Sequence, residues 1–345
     1  REGQLACADL GGRLVAALPF IHEQETMLAQ WFAQGAEEVA RVDVPDLDTV
    51  LERVCPSLNA KQAQAVRTAL TRRISLISGG AGVGKSFCVS AIAAASEELG
   101  LDVALTAPTG KAAKRIEELS GREAKTIHRL LETDPKTGSF RRDADNPLDC
   151  DLLVIDETSM VDASLMFAVL KAVPSMAGLL LVGDVDQLPS VGPGRVLGDI
   201  IDSGVVPVAR LTEVFRQAAE SRIVRNAHRI NRGEMPEWPK PGEETDFFFV
   251  EAKEPEQGAA KIVDIDRDRI PRRFGLDPIR DVQVLCPMQR GVLGARALNT
   301  DLQNALNPNM AEKIERFGCS FAPGDKVMQI ENDYNREVFN GDLGR

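Results

Sequence analysis

Residues Ile74 to Ser86 read ISLISGGAGVGKS, an apolar strand-type run that enters four glycines and closes on Gly-Lys-Ser. The next fourteen residues, FCVSAIAAASEELG, have a helical texture. Strand, loop and helix therefore stand in the order that a phosphate-binding P-loop requires. Its glycines let the chain wrap so that the backbone amides of Gly80, Ala81, Gly82, Val83 and Gly84, with the helix amino-terminus, face phosphates. Lys85 is placed to reach the β and γ phosphates and the Ser86 hydroxyl to bind Mg²⁺. The expected ligand is ATP or a similar nucleoside triphosphate with Mg²⁺.

Outward from this stretch, short apolar runs alternate with amphipathic helical segments: Val103–Thr106, Leu152–Ile155, Leu179–Val182 and Val282–Cys286. That rhythm predicts an α/β fold with mostly parallel sheets. Most of the runs lead into Gly, Pro or Asp, where ligand residues sit at the carboxyl edge of such sheets. Leu152–Ile155 delivers Asp156 and Glu157. Asp156 is a candidate Mg²⁺ ligand beside Ser86, and Glu157 a candidate base for the attacking water. Without the P-loop the same pair would read equally as a solvated strand end.

Leu179–Val182 leads into GDVDQLPS, in which Gln187 is a candidate sensor of the γ-phosphate through water. In LTEVFR, from Leu211, Arg216 is a candidate to stabilise charge on the transferring phosphoryl group. A lone arginine is ordinarily a surface ion-pair former, so that role depends on its neighbours. Asn59 to Gln62 has the spacing of a reciprocal helix cap, with Gln62 returning the bond. Gln62 alternatively presents its amide to the adenine edge.

The chain has 345 residues, 43% hydrophobic and 27% charged, and suits about two domains rather than a disordered or fibrous chain. No apolar run approaches the ~20 residues needed to cross a bilayer, and no secretory leader is evident, so the chain reads as cytoplasmic without a membrane partner. Six dispersed cysteines with no C-x-x-C pair indicate neither a zinc site nor a disulfide framework. A net charge of −11 argues against indiscriminate nucleic-acid adhesion but permits a local basic groove. Residues 1–57 read as a small helical lead-in. The Pro- and Glu-rich passage Gly233–Glu244 interrupts the pattern, and a domain boundary is expected near 218. An insert over 133–149, with DPKTG between possible short strands, suggests a hairpin.

These segments, in this order, resemble the superfamily 1 DNA helicases, and most closely their RecD-like branch, over about Leu58 to Gly344. Asn59–Gln62 resembles the adenine-reading motif, GGAGVGKS motif I, APTGKAAKR from Ala107 motif Ia, and LLVIDETSM from Leu152 motif II. GDVDQLPSVGPG from Gly183 is similar to motif III and LTEVFRQ from Leu211 to motif IV. Thr126–Leu131, Val284–Met288 and Phe339–Asp342 also match RecD-like signatures. The resemblance implies tandem RecA-like domains, here 58–218 and 219–345, the second incomplete at its carboxyl end. It implies ATP-driven translocation 5′ to 3′ along single-stranded DNA, unwinding at duplex junctions, and work in recombination or repair beside other repair proteins. The long lead-in leans toward the standalone RecD-like form, and no oligomer is required.

The same resemblance gives Pro108, Thr109, Gly110, Lys111 and Thr126 to DNA contact, and His128 to DNA or structural contact, since a lone histidine in an amphipathic segment is more often packed or capping. In APTGKAAKR the residues themselves support this, since a turn after a strand offers a hydroxyl, backbone amides and Lys111 to phosphates. Lys111, Lys114, Arg115, Arg122, Lys125 and Arg129 form a basic stretch; the plainer reading is a solvated face balanced by Glu117, Glu118 and Glu123. The insert at 133–149 matches in position the hairpin that splits the duplex, with Phe140 a candidate stacking residue. The competing function is a P-loop ATPase that remodels or loads proteins without strand translocation. It leaves APTGKAAKR and GDVDQLP unexplained.

Overall fold

The computed structural model describes residues 5–10, 12–37, 47–134, 137–213, 221–240, 242–308, 313–316, 318–331, 333, 336, 338 and 340–345. The chain divides into two compact units, Arg1–Pro236 and Glu237–Arg345.

The first unit is built on a six-stranded sheet. Its strands are β3 (Ile74–Ser78), β4 (Val103–Ala107), β5 (Ala124–Thr126), β6 (Leu152–Ile155), β7 (Gly178–Gly183) and β8 (Val208–Arg210), in the spatial order β5-β4-β6-β7-β3-β8. Every ladder between neighbours is parallel. The central strands are continuous apolar runs because both faces are covered. Alternate side chains go to opposite layers. Ile77, Val154 and Leu180 join a core under α2 (Leu47–Val54), α3 (Ala60–Thr71), α4 (Lys85–Glu98) and α5 (Gly110–Ser120). Leu76, Leu153 and Leu181 join another under α1 (Pro19–Glu37), α7 (Ala163–Ala172) and α8 (Val196–Ser203). Between β5 and β6 lies the short α6 (Ile127–Leu130). This is the expected α/β P-loop architecture.

The lead-in differs from the purely helical segment expected over 1–57. It opens as an antiparallel hairpin of β1 (Ala6–Leu10) and β2 (Arg13–Ala17), and becomes helical only at Pro19. Gly12, at φ 86°, supplies the left-handed conformation that the tight reversal needs. The insert over 133–149 is a hairpin only one bridge wide, Thr133 opposite Phe140, with the Asp134 amide donating to the Ser139 carbonyl at 2.8 Å. Beyond it the segment runs in turns, two of whose amides donate to Asp143 Oδ1 at 3.0 and 3.1 Å.

The units part after Pro236, further along than the expected boundary at 218. The helix Arg222–Asn231, here α9, belongs to the first unit because it lies against the P-loop: a Cβ on Gly80 would stand 3.4 Å from His228 Cε1.

The second unit departs from the RecA-like sheet expected over 219–345. Among its described residues no parallel strands pair, and Phe247–Val250 and Val282–Cys286 lie outside any strand. It carries helices at Pro255–Asp264, Ile270–Phe274 and Ala295–Leu306, with antiparallel pairs at Ile314–Arg316/Cys319–Phe321 and Val327–Met328/Leu343–Gly344. An apolar run becomes a strand only where a neighbour takes its backbone hydrogen bonds. Phe247 and Phe249 instead meet Trp238, with ring centroids at 6.0 and 4.3 Å. No described helix is long and apolar enough to cross a membrane.

Candidate active site

The parallel sheet brings the sequence-predicted residues to one edge. Ser78, Ile155 and Gly183 end the adjacent strands β3, β6 and β7, so the P-loop, the Asp156–Glu157 pair and the loop carrying Gln187 leave from neighbouring carboxyl ends. The P-loop is sewn in place from both sides. The Gly79 amide donates to the Gly183 carbonyl at 3.3 Å, and the Leu211 amide donates to Ser78 at 2.8 Å. A Cβ on Gly79 would lie 2.6 Å from the Leu211 carbonyl oxygen and 2.7 Å from Val83 Cγ2. Gly82 and Gly84 take φ values of 76° and 88°, which disfavour a side chain. Gly84 caps α4 without a side-chain hydrogen bond, leaving the first amides of that helix directed at the loop. The Lys85 ammonium donates to the carbonyls of Gly79 and Gly80 at 2.5 and 2.9 Å.

Asp156 is 8% exposed, and its Oδ1 accepts the Glu157 amide at 2.8 Å. Burial raises its pKa, against the opposing pull of that amide, Lys85 and Arg115. Ser86 and Asp156 line one narrow crevice with Ile116 and Leu119 of α5, too tight to hold a water. Glu157 holds a left-handed backbone at φ 51°. Its Oε2 is buried with no hydrogen-bond partner. Burial and the neighbouring Asp156 raise its pKa, Lys85 and Arg115 lower it, and Asp184 adds to the rise. A non-glycine left-handed residue with an orphaned carboxylate oxygen marks a site arranged for something other than stability. The open helix terminus, the neighbouring Ser86 and Asp156 side chains and this oxygen suit a triphosphate with a divalent cation: hydroxyl and carboxylate oxygens are donors such a cation takes.

Gln187 is exposed on the loop after β7. Arg216 lies outside the described residues; the chain leading to it, Leu211–Glu213, is tied to the start of α3 by Asn59 Nδ2 to Glu213 at 3.2 Å and Lys61 Nζ to Thr212 at 3.0 Å. Gln62 is 1% exposed and completes a capping box, its Oε1 accepting the Asn59 amide at 3.1 Å while Nε2 reaches the Val83 carbonyl at 3.5 Å. It thus touches the P-loop with its amide already engaged, as the capping reading has it.

The strand-facing candidates occupy the neighbouring part of the same edge. Pro108–Lys111 follow β4, Thr126 ends β5, and the register sets Ala107 beside Thr126. Thr109 and Thr126 cap their helices, accepting the Ala112 and Arg129 amides at 3.2 Å each. His128 is exposed, with Phe140 at 5.8 Å between ring centroids. Phe140 packs against the core instead of standing free as a stacking platform. Within the basic stretch, Arg122 pairs with Glu97 at 2.7 Å and Lys125 with Glu123 at 3.3 Å, the plainer reading. Lys111, Lys114 and Arg115 are exposed on α5, and no ion pair holds them among the described residues. Sequence reasoning missed Asp184, 7% exposed beside the carboxylate pair, and grouped Arg115 only with the strand-facing cations although its charge acts on both carboxylates. The Asp after the β7 run was the available signal for the first; the second depends on α5 packing against α4, fixed by Ser90 Oγ donating to the Leu119 carbonyl at 3.1 Å.

Residues 62–193 match the AAA domain family, and residues 298–345 match the SH3 domain of ATP-dependent RecD-like DNA helicases. The ATP-dependent RecD2 DNA helicase of Deinococcus radiodurans is 41% identical over 292 residues, covering 83% of this chain and 38% of that protein. The RecBCD enzyme subunit RecD of Mycolicibacterium smegmatis is 32% identical over 322 residues, covering 82% of this chain and 56% of that one. The chain thus spans well under two thirds of the length of either relative. Among solved structures, Pif1 helicase from Candida albicans matches 64% of this chain and 55% of its own at 22% identity, with a TM-score of 0.41.

Proposed function

The chain belongs to the RecD-like family of superfamily 1 helicases, and from that premise we propose that it forms the ATP-hydrolysing part of a DNA helicase that moves 5′ to 3′ along single-stranded DNA in recombination or repair. The observation that carries the proposal is Glu157, a half-buried residue in a left-handed backbone whose Oε2 is buried without a hydrogen-bond partner, set beside Asp156 at the same sheet edge as the P-loop.

The protein's residues divide the work. The amides of Gly80 to Gly84 and the open end of α4 bind phosphate oxygens. Lys85 exchanges the Gly79 and Gly80 carbonyls for the β and γ phosphates. Ser86 and Asp156 would hold Mg²⁺, which would neutralise phosphate charge. Glu157 orients the attacking water and accepts its proton at the free Oε2, a carboxylate task made easier by its raised pKa. Gln187 senses the γ-phosphate through water, and Arg216 stabilises charge on the transferring group. Gln62 holds the Val83 end of the loop. Pro108, Thr109, Gly110 and Lys111 from the β4 edge, with Thr126 and His128 from the β5 edge, grip the strand, so that track and fuel share one sheet edge.

ATP turnover with and without single-stranded DNA tests this. Strong stimulation that Lys85→Ala abolishes is the expected result. A turnover unaffected by DNA points instead to an ATPase that remodels or loads proteins.

A further inference from the structure

The carboxylate pair and the strand-facing turn are neighbours in the sheet. β4 and β6 are adjacent, with Thr106 beside Ile155 in the register, and the Asp156 amide donates to the Thr106 carbonyl at 2.9 Å. Three residues beyond Thr106, Thr109 caps α5. That helix then crosses the same edge: Ile116 and Leu119 meet Ser86 and Asp156 in the narrow crevice, and Ser90 Oγ of α4 donates to the Leu119 carbonyl at 3.1 Å. α5 thus starts in the strand-facing turn and lies against a carboxylate further along.

Arg115 stands between these two ends. Residues four apart share a helix face. Arg115 is therefore in line with Leu119, which lines the crevice, and with Lys111, about 6 Å towards the turn. Its row on α5 offers a like charge on one side and an apolar side chain on the other. The residue is exposed, and among the described residues no ion pair holds it, whereas Arg122 and Lys125 are taken by Glu97 and Glu123. Its charge acts instead on Asp156 and Glu157 together. Lys114, next to it in sequence, is turned about 100° away around the helix.

We propose that Arg115 is a positioning residue that couples the two sites, its guanidinium shared between strand phosphates at the turn after β4 and the Asp156–Glu157 pair. The proposal rests on the helicase reading given above. Without a strand, the cation stays beside the pair and opposes the approach of a dication to Asp156. A phosphate bound next to Lys111 draws the same guanidinium, whose planar fork suits phosphate oxygens. The pair is then left to Mg²⁺ and nucleotide. Strand and nucleotide therefore favour each other's binding, by the same factor in either direction, as linkage requires.

Two equilibrium titrations of the complete protein test this without turnover. A fluorescein-labelled oligothymidylate is followed by anisotropy with and without a non-hydrolysable ATP analogue and Mg²⁺. A fluorescent form of the analogue is titrated with and without unlabelled oligothymidylate. In wild type each ligand should tighten the other about five- to tenfold. In Arg115→Ala that factor falls to near one in both directions, and the analogue alone binds several-fold tighter than to wild type, because the opposing cation is gone. A merely structural role would loosen the analogue instead. Arg115→Lys, which keeps the charge, should retain part of the coupling, and Lys114→Ala should weaken strand binding while keeping the factor. No coupling in wild type, full coupling in Arg115→Ala, weaker analogue binding by Arg115→Ala, or equal loss of coupling in Lys114→Ala each overturns the proposal and leaves the helicase reading standing. A wild type that binds no oligothymidylate overturns both.

Discussion

Gly79 and Gly80 stand side by side in the P-loop, yet the structure gives substitution at each a different outcome. A Cβ on Gly79 meets the Leu211 carbonyl oxygen at 2.6 Å and Val83 Cγ2 at 2.7 Å, and Leu211 cannot retreat without losing its amide bond to Ser78. A Cβ on Gly80 meets only His228 Cε1, at 3.4 Å, an ordinary contact with a side chain that can turn. Gly79→Ala therefore overpacks the junction of β3, the loop and the segment after β8, at a cost of about 1–3 kcal/mol in stability. The loop must shift to relieve the overlap, and one lost amide–phosphate hydrogen bond of about 1.5–3 kcal/mol lowers nucleotide affinity roughly ten- to a hundredfold. Gly80→Ala should leave both within about threefold of wild type. Titration with a fluorescent ATP analogue, beside thermal unfolding of each variant, measures the two effects. Equal affinities for Gly79→Ala and wild type, or equal damage from both substitutions, would refute the steric account.

Glu157→Gln should bind nucleotide normally while turnover falls about 10²- to 10⁴-fold, which single-turnover hydrolysis separates from binding. The carboxylates also predict a pH dependence of stability. Burial raises the folded pKa of Asp156 and of Glu157 above their unfolded values, so each contributes stability in its protonated form that is lost as pH rises through the folded pKa. In chelator without nucleotide, Asp156→Asn and Glu157→Gln should melt higher than wild type at neutral pH, with the gap closing in acid; a gap that widens in acid contradicts the burial argument. Lys111→Ala and Lys114→Ala remove unpaired charges from α5, and each should lessen the slope of log affinity for single-stranded DNA against log salt by about 0.7. Arg122→Ala, whose guanidinium already pairs with Glu97, should leave that slope unchanged in the same titrations.

The legible part of the molecule was the part where local pattern and tertiary environment agree. Ile74–Ser78 and Leu152–Ile155 are apolar throughout because helices cover both faces of the sheet, and the glycines at 82 and 84 stand where the backbone is left-handed. Asp156 and Glu157 were readable because a parallel strand must end at the ligand edge. Phe247–Val250 carries as good a strand pattern and forms none, since a ladder depends on partners distant in sequence. The β1–β2 hairpin was obscured by Leu and Ala, which suit helix as well. Gln62 carried two legible roles, and only the capping box and the Val83 contact place it. Arg115 looked like one more cation on a basic helix, and the charge it lends to the carboxylates arises from helix packing that no spacing reveals.

Unwinding of 5′-tailed and 3′-tailed duplexes by the complete protein and by its Lys85→Ala variant tests the central claim most directly. The account predicts ATP-dependent unwinding of the 5′-tailed substrate by wild type and none by Lys85→Ala. Unwinding that survives the loss of Lys85, or that favours the 3′ tail, would contradict it.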